Sequence, residues 1–277
     1  MKEKVCVLIR VYDRIEDLEL NLDIIKKTWR MNDYYIIVSS NGKSHGFSLS
    51  DKVYAHCDKI IELEYNAGHL KGNSQLLMEG VKYIPNDCQY TVLLEADNWL
   101  YTDELISKYI NENKKQGAVW ASARWYDRFY SNATDFAVVK TEFLRYNMDV
   151  VNFNDYPECW VSNYLKENNA KCLYIKELMP VSLPGYIKKY PFAPRGRFYI
   201  FPRGRMVTHH IEDIRCGIEE KKFYFNVVSK SIFFETNIRK NMFIERLKIK
   251  TFLLLSTLFV RRSWYSKRKK LIVASCN

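Results

Sequence analysis

The sequence lacks a GxxxxGK[ST] loop and a GxGxxG turn, so the common NTPase and dinucleotide-binding architectures find no support in it. It also lacks CxxC spacing: seven cysteines (Cys6, Cys57, Cys88, Cys159, Cys172, Cys216 and Cys276) are scattered and odd in number. That pattern suits reduced thiols better than a disulfide framework or a zinc site. The first residues, MKEKVCVLIRVYDR, offer too short an apolar run for a signal peptide and carry charge through it, which leads us to expect a cytoplasmic protein. Acidic residues are nearly missing from one stretch only. Between residues 239 and 270 eleven Lys and Arg face a single acid, Glu245, so this stretch carries +10 of the chain's formal +11. The charge belongs to a tail, and the near-neutral body does not read as a nucleic-acid-binding surface.

What is present is ample for a core. With 47% apolar and 15% aromatic residues over 277 positions, general disorder is excluded, and one large domain or two intimate lobes are expected. Residues 5–11 (VCVLIRV) read as a first strand. Residues 15–29 read as an amphipathic helix, with Ile15, Leu18, Leu22, Ile25 and Trp29 at spacings of three and four. Residues 34–39 (YYIIVS) and 59–64 (KIIELE) read as the second and third strands, and residues 43–58 are mixed. After the third strand, Leu70, Leu77, Val81 and Ile84 mark a helix that Pro85 stops, with Gly68 and Gly72 at its entrance. A strand, a glycine turn and a helix N-terminus form an element able to face a phosphate, though ordinary turn and packing duty explains such glycines equally well.

The fourth strand organises the rest. Residues 90–94 (YTVLL) are apolar or β-branched, as in a strand buried on both faces, and the run ends in Glu95 and Asp97. Two carboxylates at the C-terminal edge of a parallel sheet are suited to holding a divalent cation against phosphates, although a strand-end turn or helix cap would also use Asp97. A helix capped by Thr102 or Asp103 should follow. Four strand–helix units without an internal repeat imply an α/β, mostly parallel, doubly wound sheet flanked by helices. Further on, residues 118–123 and 136–139 read as strands, the latter entered from Thr134 and Asp135. Residues 156–165 read as a helix, 171–175 as a strand, and 184–205 as a Pro-, Gly- and Arg-rich substrate loop holding Arg195, Arg197, Arg203 and Arg205.

The order of these motifs resembles a glycosyltransferase of the GT-A fold, nearest to family 2, over residues 4 to 215. The resemblance implies a nucleotide-sugar-binding half (1–101), an acceptor-binding half of the same domain (102–235) and a tail (236–277). It implies donor contacts from the loop at Arg10, Tyr12 and Arg14, and from the turn at Ser39, Ser40 and Asn41. The NxGxxxA/GxN-like pattern supplies Asn66, Gly68 and Gly72, with Ser74 where the last Asn is usual. Glu95-Ala96-Asp97 stands for Asp-x-Asp and leaves Asp97 as the metal ligand for Mn²⁺ or Mg²⁺. His210 or His209 stands where a late metal-binding His is found. The catalytic base is implied to be Glu158, with Asp155 in reserve, although a Glu in a helix's first turn also complements the helix dipole.

The tail has a ten-residue apolar core, 251–260, about half of the roughly 20 residues that span a bilayer. With Trp264, Tyr265 and a basic cluster beside it, it reads as an amphipathic helix lying on an anionic membrane surface, which would keep the protein peripheral on the cytoplasmic face. The expected partners are then a nucleotide-diphosphate sugar, a lipid-linked or cell-envelope glycan and the membrane, with no nucleic acid. Sugar-phosphate nucleotidyl transfer on a similar fold, or a non-catalytic membrane- or RNA-binding protein, are the alternatives.

Overall fold

A computed structural model describes residues 2–124, 132–178, 199–208, 216–259 and 273–274. The chain forms two compact units. The first comprises Met1–Ala96, Thr102–Ile175 and Ile272–Asn277, and the second Asp97–Tyr101 and Lys176–Leu271.

The first unit opens with β1 (Lys4–Val11), α1 (Ile15–Thr28), β2 (Asp33–Ser40), α2 (Asp51–His56), β3 (Lys59–Glu62), α3 (His69–Val81) and β4 (Tyr90–Glu95). The second unit takes the two-residue β5 (Trp99–Leu100). Back in the first unit come α4 (Glu104–Gln116), β6 (Trp120–Arg124), β7 (Asn132–Lys140), α5 (Thr141–Tyr146), α6 (Pro157–Glu167) and β8 (Cys172–Tyr174). β9 (Tyr199–Phe201), β10 (Met206–Thr208), α7 (Gly217–Ser229) and α8 (Met242–Phe259) belong to the second unit, and β11 (Val273–Ala274) returns to the first.

The large sheet runs β11-β8-β6-β7-β4-β1-β2-β3. β3, β2, β1 and β4 are parallel to one another, and β7 is antiparallel to both β4 and β6. This is the α/β sheet flanked by helices that the alternating pattern implies. The alternation of side chains along each strand supplies two cores. Cys6 and Leu8 of β1, Leu93 of β4 and Ala137 and Val139 of β7 share one face with Leu77 and Val81 of α3, Leu144 of α5 and Val161 and Leu165 of α6. Their strand neighbours Val5, Val7, Ile9, Val92 and Leu94 are equally buried, which is why β1 and β4 read as continuous apolar runs. Gly80 lets α3 lie close on β1, because a Cβ there would run into Leu8.

In the second unit β5, β10 and β9 make a three-stranded antiparallel sheet. The expected substrate loop over 184–205 is therefore in part a hairpin: Tyr199–Phe201 pairs with Met206–Thr208, and Arg205 makes the turn with φ +50°. Residues 184–198 of that loop, with Arg195 and Arg197, lie outside the described residues. Trp99, Tyr101, Phe225, Phe233 and Phe234 form an aromatic cluster with centroid separations from 4.7 to 6.3 Å.

Candidate functional site

Parallel strands that end together bring their last residues into one row, and in the first unit that row is charged. Arg10 is the register partner of Glu95 on one side and of Ser39 on the other. Its guanidinium is buried; Nη2 donates to Glu95 Oε1 and, at 2.8 Å, to the Thr134 carbonyl. Because β7 runs the other way, its first residues lie at this same end of the sheet, which brings Thr134 and the buried Asp135 beside the ends of β1 and β4.

α6 adds Glu158 to this row. Pro157 opens the helix without sacrificing a backbone donor, and Glu158 sits in its first turn. Ser162 ties the helix to β7: its hydroxyl donates to the Glu158 carbonyl at 2.7 Å and accepts from the Asn132 N–H at 2.8 Å. Burial pushes the Glu158 carboxyl above its ordinary pKa; the charges of Asp135 and Glu95 push the same way, while its own backbone N–H and Arg10 pull it down. Asp155, the reserve base, is exposed, and its carboxylate accepts from the Tyr156 N–H at 2.7 Å, a local turn role.

The expected phosphate-facing turn closes around Gly72. Asn66 Oδ1 accepts from the Gly68 N–H at 2.9 Å, and Asn41 Nδ2 donates to the Gly72 carbonyl at 3.2 Å. A Cβ on Gly72 would collide with Asn66 Oδ1 and crowd Asn41 Nδ2, so the glycine leaves the room these two side chains occupy. Gly68 caps α3 at φ +88°, a conformation glycine adopts without penalty. Buried Ser40 follows the same strand end, and Tyr12 stands edge-on to His45 and Phe47 at 5.7 and 5.3 Å. Arg14 immediately precedes α1, its guanidinium 3.8 Å from Asp13. Arg10 Nε and Nη1, Ser39 Oγ and Asn41 Oδ1 are buried and have no hydrogen-bond partner among the described residues. Buried polar atoms of this kind are normally satisfied, so their gathering at the ends of β1 and β2 fits a polar ligand.

Asp97 follows Ala96 but packs with the second unit, where it is 7% exposed. Lys221 of α7, fully buried, donates from Nζ to the Asp97 carbonyl at 2.5 Å and lies 4.2 Å from the centre of the Trp99 ring. A lysine sunk into a core signals a fixed task, and here it holds the backbone of the acidic turn. His209 and His210 lie outside the described residues, and among those described no three His, Cys, Asp or Glu side chains are grouped to hold a metal ion. Mg²⁺-type sites take one or two carboxylates together with substrate phosphates, so Asp97 has the right donor chemistry for such an ion. Glu95 is committed to Arg10.

Sequence reasoning gathers Arg10, Glu95 and Glu158, and separately Asn41, Asn66, Gly68 and Gly72, by motif order alone. It misses Asp135, Ser162 and Lys221. The polar pair Thr134-Asp135 opening an apolar strand was the available signal for the first. Lys221, inside EEKKFYF, carries no signal that separates it from a solvated helix lysine.

No family model matches the chain, and no curated protein sequence matches it. Among solved structures it is similar to the mannosyltransferase PcManGT of Pyrobaculum calidifontis, in complex with GDP-Man and Mn²⁺, at TM-score 0.48 and 10% identity over 93% of this chain and 72% of that one. It is also similar to S. aureus TarS 1–349, at 0.44 and 10% over 60% and 56%, and to 4-diphosphocytidyl-2C-methyl-D-erythritol synthase of Anaerococcus prevotii, at 0.41 and 13% over 62% and 87%. At these values the likeness assigns no activity.

Proposed function

We propose that this chain is a nucleotide-sugar-dependent glycosyltransferase of the GT-A type, nearest to family 2. It transfers a sugar from a nucleoside diphosphate to a hydroxyl of a lipid-linked or cell-envelope glycan. The observation that carries the reading is the strand-end row of Arg10, Glu95, Asp135 and Glu158 beside the unpartnered polar atoms of Arg10, Ser39 and Asn41. Such transfer needs a group to take the acceptor proton and charge to receive the leaving diphosphate.

Glu158 is the base. Its raised pKa makes it a better proton acceptor than an exposed carboxylate, and a base so positioned contributes about 10²- to 10⁴-fold. As Glu158 takes its proton, the acceptor oxygen attacks the anomeric carbon from the side opposite the leaving group; the new C–O bond forms while the bond to the nucleoside diphosphate breaks, and the anomeric configuration inverts. Arg10 holds Glu95 toward the donor and keeps two N–H groups for it. Asn41, Asn66, Gly68 and the N-terminus of α3 face the diphosphate, and Tyr12 the base or ribose. Asp97 would hold Mn²⁺ or Mg²⁺, with His210 or His209 as its second ligand; bound there, the ion would act as a Lewis acid on the diphosphate.

The test is a panel of nucleotide sugars followed by thermal shift and donor hydrolysis, with and without Mn²⁺. Glu158→Gln should keep the donor-induced shift and lose transfer. No shift with any nucleotide sugar sinks the proposal, and release of pyrophosphate from a nucleoside triphosphate with a sugar phosphate would reassign the site to nucleotidyl transfer.

A further inference from the structure

α8 has two unlike sides. Glu245, Ile249 and Phe252 are buried, and the helix is fastened by the Arg246 guanidinium, which donates to the Val227 and Asn226 carbonyls of α7 at 3.2 Å. Just before it, Lys240 pairs with the buried Glu220. At 3.6 residues per turn, Phe243, Leu247 and Leu254 fall within about 40° of one another on the opposite side, with Ile244 next to them. All four are open: Phe243 is 73% exposed, Leu254 59%, Leu247 53% and Ile244 48%. A water-facing helix normally turns polar residues outward, so an apolar stripe on a helix this firmly fastened marks a binding face.

We propose that this outward face of α8 docks on an anionic lipid bilayer. Charge selects that occupant. The stretch 239–270 carries eleven basic residues against Glu245 alone, so a second copy of the chain would bring like charge to like charge, whereas anionic headgroups attract it. The geometry is that of a helix lying in the interface plane, its apolar stripe among the acyl chains and its lysines at headgroup level. Lys250 lies beside the stripe on the helix, and no helix among the described residues is long and apolar enough to cross a membrane. The docking face comprises Phe243, Ile244 and Leu247, upstream of the apolar run at 251–260, together with Leu254 within it, and its role is independent of the reaction the first unit performs.

The experiment is flotation of the full-length protein with vesicles of phosphatidylcholine alone or mixed with phosphatidylglycerol. No nucleotide is needed, so the outcome is independent of the transferase proposal. Wild type should float with the anionic vesicles and not with the neutral ones. Phe243→Glu with Leu247→Glu should reduce the bound fraction about tenfold by removing apolar insertion while the helix stays packed. Leu254→Gln alone, a milder change, should lower it in the same direction, and circular dichroism and thermal unfolding should match wild type for both. Undiminished binding by the double variant, equal binding to neutral vesicles, or a vesicle-free dimer that Leu247→Glu dissociates would each overturn the proposal, the last by naming a second copy as the occupant.

Discussion

As the proposed base, Glu158 must be ionised to accept a proton, and its surroundings oppose ionisation. Burial is the largest cause, and the charges of Asp135 and Glu95 add to it, against the pull of its own backbone N–H and Arg10. The sign follows directly: a raised pKa means the folded chain keeps this proton to higher pH than the unfolded chain does. Ionised Glu158 therefore lowers stability as pH rises from the ordinary glutamate range through its shifted value. With Glu158 as the proposed base, the same shift should set the acid limb of kcat/KM above that ordinary range. Asp135→Asn removes one of the opposing charges, so the acid limb should move to lower pH while the donor-induced thermal shift is kept. A pH–rate profile measures this directly. A limb that stays in place, or moves upward, would remove Glu158 from the role of base.

At the scale of elements, Ser74 shows what a departure from a motif is for. The pattern that Asn66, Gly68 and Gly72 resemble has Asn there, but Ser74 is buried in α3, accepts from the Phe153 N–H at 2.9 Å and donates to the Val151 carbonyl at 2.6 Å. One small hydroxyl thus fastens α3 to the segment that leads into α6 and Glu158. Ser74→Ala leaves both backbone groups unpaired and should cost about 1–3 kcal/mol, read as a lower denaturation midpoint with an unchanged m-value. An unchanged midpoint would mean that water replaces the hydroxyl without loss. Elements of this kind were unevenly legible. β1, α1, β2, β3, α3 and β4 could be read because the strands are short apolar runs and the helices bury periodic apolar faces, and α1 begins at the expected Ile15. The direction of β7 could not, since FAVV is the same apolar run whichever way the strand points, and that direction is what brings Asp135 to the site. β5 and β9 escaped for another reason. Two- and three-residue strands have too few positions to show alternation, and β5 meets its partner β10 only far along the chain.

For the whole molecule, counting charge along the chain was enough to assign nearly all of it to the tail, because the +10 of residues 239–270 needs no structure to be seen. Which side of the tail helix faces outward was not legible, since the run TFLLLSTLFV is apolar in every direction. Packing decides it: Ile249 and Phe252 turn inward while Phe243, Leu247 and Leu254 turn out. If docking by this face delivers the proposed transferase to its acceptor, chemistry and delivery separate cleanly. In the Phe243→Glu, Leu247→Glu protein, transfer to a short water-soluble acceptor should run at the wild-type rate, because neither residue belongs to the proposed site. Transfer to a lipid-anchored acceptor in anionic vesicles should fall about tenfold, as the local concentration gained by docking is lost. Raising salt to about 1 M, where the Debye length shrinks to about 3 Å, should bring the wild-type vesicle rate down toward that of the variant, with little effect on the soluble acceptor. Parallel loss on both acceptors would instead mean that the α8 face supports the catalytic body, and delivery to a membrane would no longer explain the tail.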